Sequence, residues 1–128
     1  MRKDPPFDME YIYATYILDL AKMSGAKVIN DPSAIRNLNE KVSITMFPSV
    51  TPPTLVTSNQ CDLESFLNQQ EKIVVKPLDG MGGRSIFIVE KDEPNTNTIF
   101  EEMTRNNSKT IMAQKYIPEI KDLSLIHI

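Results

Sequence analysis

At 128 residues the chain is about one ordinary domain, or a piece of a larger one. Its 41% hydrophobic and 24% charged residues are globular proportions and exclude a disordered chain. With 14 Lys+Arg against 17 Asp+Glu the net charge is −3, so the basic surplus of a nucleic-acid binder is absent.

Met1 to Asp8 reads as a loop, because Pro5 and Pro6 fix φ and remove two N–H donors. Asp8 is placed to cap a helix from Met9 to about Met23, where Ile12, Tyr16, Leu20 and Met23 form an apolar stripe with Tyr13 and Ile17 alongside. Ser24-Gly25 ends it. Lys27 to Asn30 is predicted as a short strand on Val28 and Ile29, and Asp31-Pro32-Ser33 opens a short helix to about Asn39. A further helical segment is predicted from Glu40 to Met46. Phe47 to Pro53, with Pro48, Pro52 and Pro53, reads as a linker between two units. Strands are then predicted at Thr54–Thr57, Lys72–Lys76, Ser85–Glu90 and Thr110–Ala113. Two helices lie between them. One is capped by Asp62 and runs to about Gln70 with Leu63, Phe66 and Leu67 on one face. The other starts at Asn95 or Asn97 and runs to about Arg105 with Ile99, Phe100 and Met103 inward. This order predicts a mixed α/β or α+β fold.

No run of about 18 apolar residues occurs, so no membrane-crossing helix is expected. Met1 to Pro6 is charged and then proline-rich, unlike a secretory signal. The single cysteine, Cys61, leaves no internal disulfide and no multi-cysteine zinc site, and the cytoplasm is the expected compartment. The apolar tail Leu123 to Ile128 follows the polar Lys121-Asp122 abruptly. Its six residues can be encoded by a transposon-end sequence used in library preparation, so residues 123–128 are expected to be non-native, the alternative being a genuine apolar strand, and His127 is a poor candidate for any role.

Glycine is scarce, yet three of the 4 residues, Gly80, Gly82 and Gly83, fall together in Lys76-Pro77-Leu78-Asp79-Gly80-Met81-Gly82-Gly83-Arg84-Ser85. Between two predicted strands, such a segment can bring backbone N–H groups close to an anion such as phosphate. It lacks the Gly-Lys-Ser/Thr and following helix of a Walker A loop, and against a dinucleotide fingerprint it has Ser85 at the third glycine position and again no following helix. A tight hairpin serving structure alone fits the glycines equally well. Lys76 ends a β-branched run whose inward neighbours are expected to be Val74 and Ile86, so its ammonium must snorkel or meet a negative charge. Lys41, in Asn39-Glu40-Lys41, is by itself an ordinary solvated lysine. Gln114 is either an edge-strand polar residue or an amide that reads an adenine edge.

These segments taken together resemble bacterial glutathione synthetase, of the ATP-grasp ligase superfamily. The likeness rests on Met1-Arg2-Lys3-Asp4-Pro5-Pro6-Phe7-Asp8, on Tyr11 to Leu18, on Asn39-Glu40-Lys41, on Lys76 to Gly83 and on Met112-Ala113-Gln114, in order and at matching spacing. It covers Met1 to about Asp122. It implies a partial ATP-grasp fold. Residues 1–47 would be the end of a Rossmann-like domain that binds substrate, and residues 48–122 the lid subdomain with the glycine-rich loop. The implied reaction joins γ-glutamylcysteine to glycine through an acyl phosphate, with ATP and Mg²⁺ as cofactors. By resemblance, Lys41 and Lys76 hold ATP phosphates. Gly80, Met81, Gly82, Gly83 and Ser85 belong to the phosphate cover. Gln114, Lys115, Tyr116 and Ile117 form the adenine hinge, and Arg2, Lys3 and Asp4 border the dipeptide site. The family's Mg²⁺ ligands are expected beyond Asp122, the parent is expected to be a homo-oligomer, and the 128-residue chain alone is expected to be inactive. A different ATP-grasp carboxylate–amine ligase, or a non-catalytic nucleotide- or phosphate-binding module, remains open as an alternative.

Overall fold

The structure, a computed structural model, describes residues 6–80 and 85–122. Arg2, Lys3 and Asp4, the glycine-loop residues Met81, Gly82 and Gly83, and the 123–128 tail lie outside the described residues.

The chain begins with two helices. Helix α1, Met9–Met23, is capped by Asp8, whose side chain accepts from Tyr11 N at 2.9 Å. Helix α2, Pro32–Asn37, is capped by Asp31, which accepts from Ser33 N at 2.9 Å, and Pro32 occupies its first turn. Arg36 ties the two together. Its Nη1 donates to the buried Thr15 Oγ1 at 3.0 Å and pairs with Asp19 Oδ2 at 2.6 Å, and its guanidinium stacks 4.8 Å from the Tyr16 ring centroid. The predicted α1 stripe is not a core within this chain: Tyr16 is 51% exposed, Leu20 62% and Met23 83%. Lys27–Asn30 is not a strand, because Val28 and Ile29 pair with none of the described strands and Ile29 is exposed. The predicted segment Glu40–Met46 is a tighter 3₁₀ turn, Val42–Met46, and the proline-rich Phe47–Pro53 has no regular structure.

The remainder is a four-stranded antiparallel sheet with two helices. In chain order these are β1 (Thr54–Thr57), α3 (Gln60–Gln70), β2 (Lys72–Pro77), β3 (Phe87–Glu90), α4 (Thr96–Thr104) and β4 (Ile111–Lys115). The spatial order is β1-β4-β2-β3, so the last strand inserts between the first two. Pairing fixes two faces, since partners opposite each other share a side of the pleat. Leu55, Ala113 and Val75 form one row, and Thr57, Ile111 and Pro77 the next. This face meets Leu63 and Leu67 of α3 and Phe100 and Met103 of α4, with Ile73 and Val89, in one apolar core. Each such fully buried side chain contributes about 1.5–3 kcal/mol.

Several boundaries differ from expectation for local reasons. Asn59, not Asp62, caps α3, because its side chain accepts from Cys61 N at 2.9 Å; Asp62 sits in the first turn and accepts from Thr57 Oγ1 at 3.0 Å. Asn95 precedes α4 but makes no side-chain cap. Strand β3 starts at Phe87 rather than Ser85, since Ser85 has φ 57°, a left-handed value that cannot continue a ladder. Strand β4 runs on to Lys115 and carries Gln114 into the sheet.

Candidate functional site

The second face of the sheet carries the candidate site residues Lys76 and Gln114. Its rows are Thr54–Gln114–Val74 and Val56–Met112–Lys76. Lys76 therefore lies opposite the helix-packed core. Its same-face neighbour Val74 is only half-buried and Ile86 is exposed, so the expected apolar surround is not what confines it. Polar contacts do so instead. Lys76 Nζ donates to Gln114 Oε1 at 2.6 Å, and Gln114 Nε2 donates to Thr54 Oγ1 at 3.0 Å. Gln114 is 7% exposed and engaged at both ends of its amide.

Lys41 reaches the neighbourhood of Lys76 from the segment that precedes the sheet. The Asn39 side chain accepts from the N–H groups of Lys41 and Val42, both at 3.0 Å, which folds the segment into a tight turn. Asn39 Nδ2 lies 3.4 Å from Leu78 O, and Lys41 Nζ donates to Gly80 O at 2.6 Å and pairs with Glu40 Oε1 at 2.9 Å. The turn is thus fastened to the stem of the glycine-rich segment. Burial first, and the neighbouring Lys41 charge second, hold the Lys76 ammonium below the usual lysine range. Neither cause is relieved by an acidic partner, since Lys76 bonds to a neutral amide. A partly buried ammonium beside a second one is an arrangement that an anion could neutralise.

The stem is held by Asp79, which pairs with Lys109 at 3.2 Å; that contact is the first cause of its carboxyl lying below the usual range. Gly80 is half-buried, and Ser85 is exposed. In the predicted hinge, Lys115 N–H donates to Pro53 O at 2.9 Å and Tyr116 N–H to Lys72 O at 3.0 Å, so both donors are already used. Tyr116 is buried beneath Lys72, whose Nζ lies 4.6 Å from the ring centroid, whereas Lys115 and Ile117 are exposed. The structure brings together Lys41, Lys76, Gly80 and Gln114. Sequence reading missed Thr54, whose one signal is its place directly after two prolines. Among the described residues no group of three His, Cys, Asp or Glu side chains could hold a metal ion, and no helix is long and apolar enough to cross a membrane.

The architecture has counterparts among solved structures. The chain matches the ATP-grasp ligase PsnB complexed with minimal precursor at a TM-score of 0.59 and 17% identity, over 82% of this chain and 34% of that one. A second PsnB complex, with precursor peptide PsnA2 and AMPPNP, matches at a TM-score of 0.57 and 15% identity, over 83% of this chain and 35% of that one. The fold is a partial ATP-grasp. Residues 40–124 match the family described as prokaryotic glutathione synthetase, ATP-grasp domain, and residues 1–36 match prokaryotic glutathione synthetase, N-terminal domain. The chain belongs to the prokaryotic glutathione synthetase family. It is similar to the glutathione synthetase of Bordetella parapertussis, 55% identical over 94% of this chain and 38% of that protein. The enzyme of Nitrosomonas europaea is 53% identical over 95% and 38%, and that of Escherichia coli O157:H7 is 49% identical over 95% and 39%. The chain therefore spans about two fifths of the length of these curated relatives.

Proposed function

We propose that this chain is the central part of an ATP-dependent ligase that joins γ-glutamylcysteine to glycine, and that its share of the work is to hold the nucleotide. The observation that carries the reading is the nearness of two ammonium groups: Lys41 on the Gly80 carbonyl, and Lys76 on the Gln114 amide oxygen, half-buried and held down by burial and by its neighbour. ATP supplies the phosphoryl group that activates the dipeptide carboxylate. Lys41 and Lys76 would neutralise oxygens of its triphosphate, and Gly80, Met81, Gly82, Gly83 and Ser85 would complete the phosphate site. Gln114, with its amide spent on Lys76 and Thr54, would act on the nucleotide through Lys76. Because the Lys115 and Tyr116 donors are used, an adenine edge at the hinge would meet their carbonyls and Ile117. Arg2, Lys3 and Asp4 would border the dipeptide. The Mg²⁺ ligands would come from residues outside this chain, and the longer protein would be a cytoplasmic homo-oligomer.

The test is ATP affinity of the full-length gene product carrying this chain, measured by calorimetry. Lys76→Met should weaken binding about 10- to 100-fold, the worth of one charge-assisted hydrogen bond in a partly buried site. Unchanged affinity would falsify the phosphate role. A bound triphosphate raises the Lys76 pKa from its lowered free value. Affinity should therefore be full below that free value and fall as the pH rises through it. The Lys76→Met protein should lack that alkaline limb. A mixture of γ-glutamylcysteine, glycine and ATP should give no product with the 128-residue chain alone.

A further inference from the structure

The direction of the Gln114 amide is settled by what surrounds it. Thr54 Oγ1 lies 2.8 Å from Pro52 O. A carbonyl oxygen only accepts, so the hydroxyl hydrogen is committed to Pro52. Thr54 Oγ1 can then offer only lone pairs to the side chain 3.0 Å away, and the Gln114 atom facing it must be the amide nitrogen. That turns the Gln114 oxygen toward Lys76, at 2.6 Å. The reversed amide would set NH₂ against the ammonium and oxygen against lone pairs, two repulsive contacts in a place where Gln114 is only 7% exposed. The anchor of this chain is itself fixed, because the next carbonyl, Pro53 O, accepts from Lys115 N at 2.9 Å and ties the Pro52-Pro53 segment to β4.

We propose that Thr54 is a positioning residue of the nucleotide site: its hydroxyl gives the Pro52–Thr54–Gln114–Lys76 chain a single direction and so holds the Lys76 ammonium on the phosphate-facing side of the sheet. The proposal rests on the reading of Lys76 as a phosphate ligand. In this reading Thr54 acts through Gln114, to which its hydroxyl oxygen is bonded. The two lysines repel each other, and without the amide oxygen Lys76 is free to swing to solvent along its four-carbon stem.

The experiment compares Thr54→Ser, Thr54→Val and Lys76→Met in the full-length gene product by ATP titration calorimetry, with steady-state kinetics alongside. Thr54→Ser keeps the hydroxyl and should bind ATP within about twofold of the parent. Thr54→Val keeps the shape, loses the hydroxyl, and should bind about five- to tenfold more weakly, with the loss in KM for ATP rather than in KM for the other substrates. If Lys76→Met weakens binding and Thr54→Val does not, the Thr54 role is wrong while the nucleotide site stands. If Lys76→Met changes nothing, the reading beneath it is wrong. An equal loss in Thr54→Ser and Thr54→Val also overturns the proposal, since the hydroxyl would not be the cause. Should Thr54→Val not fold, the parent protein decides by NMR. The Gln114 side-chain NH₂ should exchange much more slowly than that of the exposed Gln69; equal rates overturn the assignment.

Discussion

Helix α1 and the pair α3 and α4 carry the same kind of sequence pattern and meet opposite fates. All three repeat apolar residues at helical spacing. Leu63, Leu67, Phe100 and Met103 are buried against Ile73, Val75 and Val89 of the sheet, whereas Tyr16, Leu20 and Met23 of α1 stay exposed. The N-terminal helices are joined by a polar knot instead: Arg36 holding Thr15 and Asp19, with Tyr16 beneath the guanidinium. Periodicity thus states which face of a helix requires a partner. It does not state whether the same chain supplies one. The sheet region completes its own core, and the helical pair leaves an apolar face over.

Denaturant unfolding can break that contrast. Phe100→Ala should cost about 3–5 kcal/mol, since it empties a fully buried site, whereas Leu20→Ala in the 128-residue chain should stay within about 0.5 kcal/mol. Comparable losses at the two positions would show that α1 is packed after all. The polar knot comes next. Arg36→Ala should cost about 1–3 kcal/mol by removing the donor to the buried Thr15 oxygen, whose own hydrogen stays on Ile12 O, and by freeing Asp19, and it should loosen α1 from α2 while leaving the sheet's amide protection untouched. Within the sheet region, Asn59→Ala should cost about 1 kcal/mol for the lost cap of α3, and Asp62→Ala clearly less; the reverse order would restore Asp62 as the cap. The smallest effect is an acid one. Asp31, exposed, has its carboxyl held well below the usual range by Lys22 first and by Ser33 next. Its contribution is present above the unfolded carboxylate pKa and is lost as the pH falls through the lowered native value, so the helical pair should weaken only in strong acid, and less so in high salt.

Much of the architecture could be read from residues alone. Proline placement marked the irregular stretch Phe47–Pro53, β-branched runs marked four strands, and Asp8 marked the start of α1. The misplaced details were those in which two local signals compete. Asn59 and Asp62 are both capping residues, and only the observed bond to Cys61 N chooses between them. Val28-Ile29 has strand propensity, but a strand is a pairing and no propensity provides a neighbour.

The site divides in the same way. Lys76 and the glycine-rich segment stood out by themselves, as an ammonium at the end of an apolar strand beside concentrated backbone freedom. Lys41 did not, because an isolated lysine next to a glutamate looks like any wet surface residue. The Asn39 turn and the Gly80 carbonyl, 39 positions away, are what put it to use. Gln114 could be an edge-strand polar residue or an amide that reads an adenine edge, and Thr54 was plain strand; the insertion of β4 between β1 and β2 takes Gln114 off the edge and sets the two side by side. Chemistry carried by one residue type in its own neighbourhood is written in the sequence. Chemistry that depends on which strands lie beside each other is decided by the topology, because hydrogen bonds act over about 3 Å of space and take no account of distance along the chain.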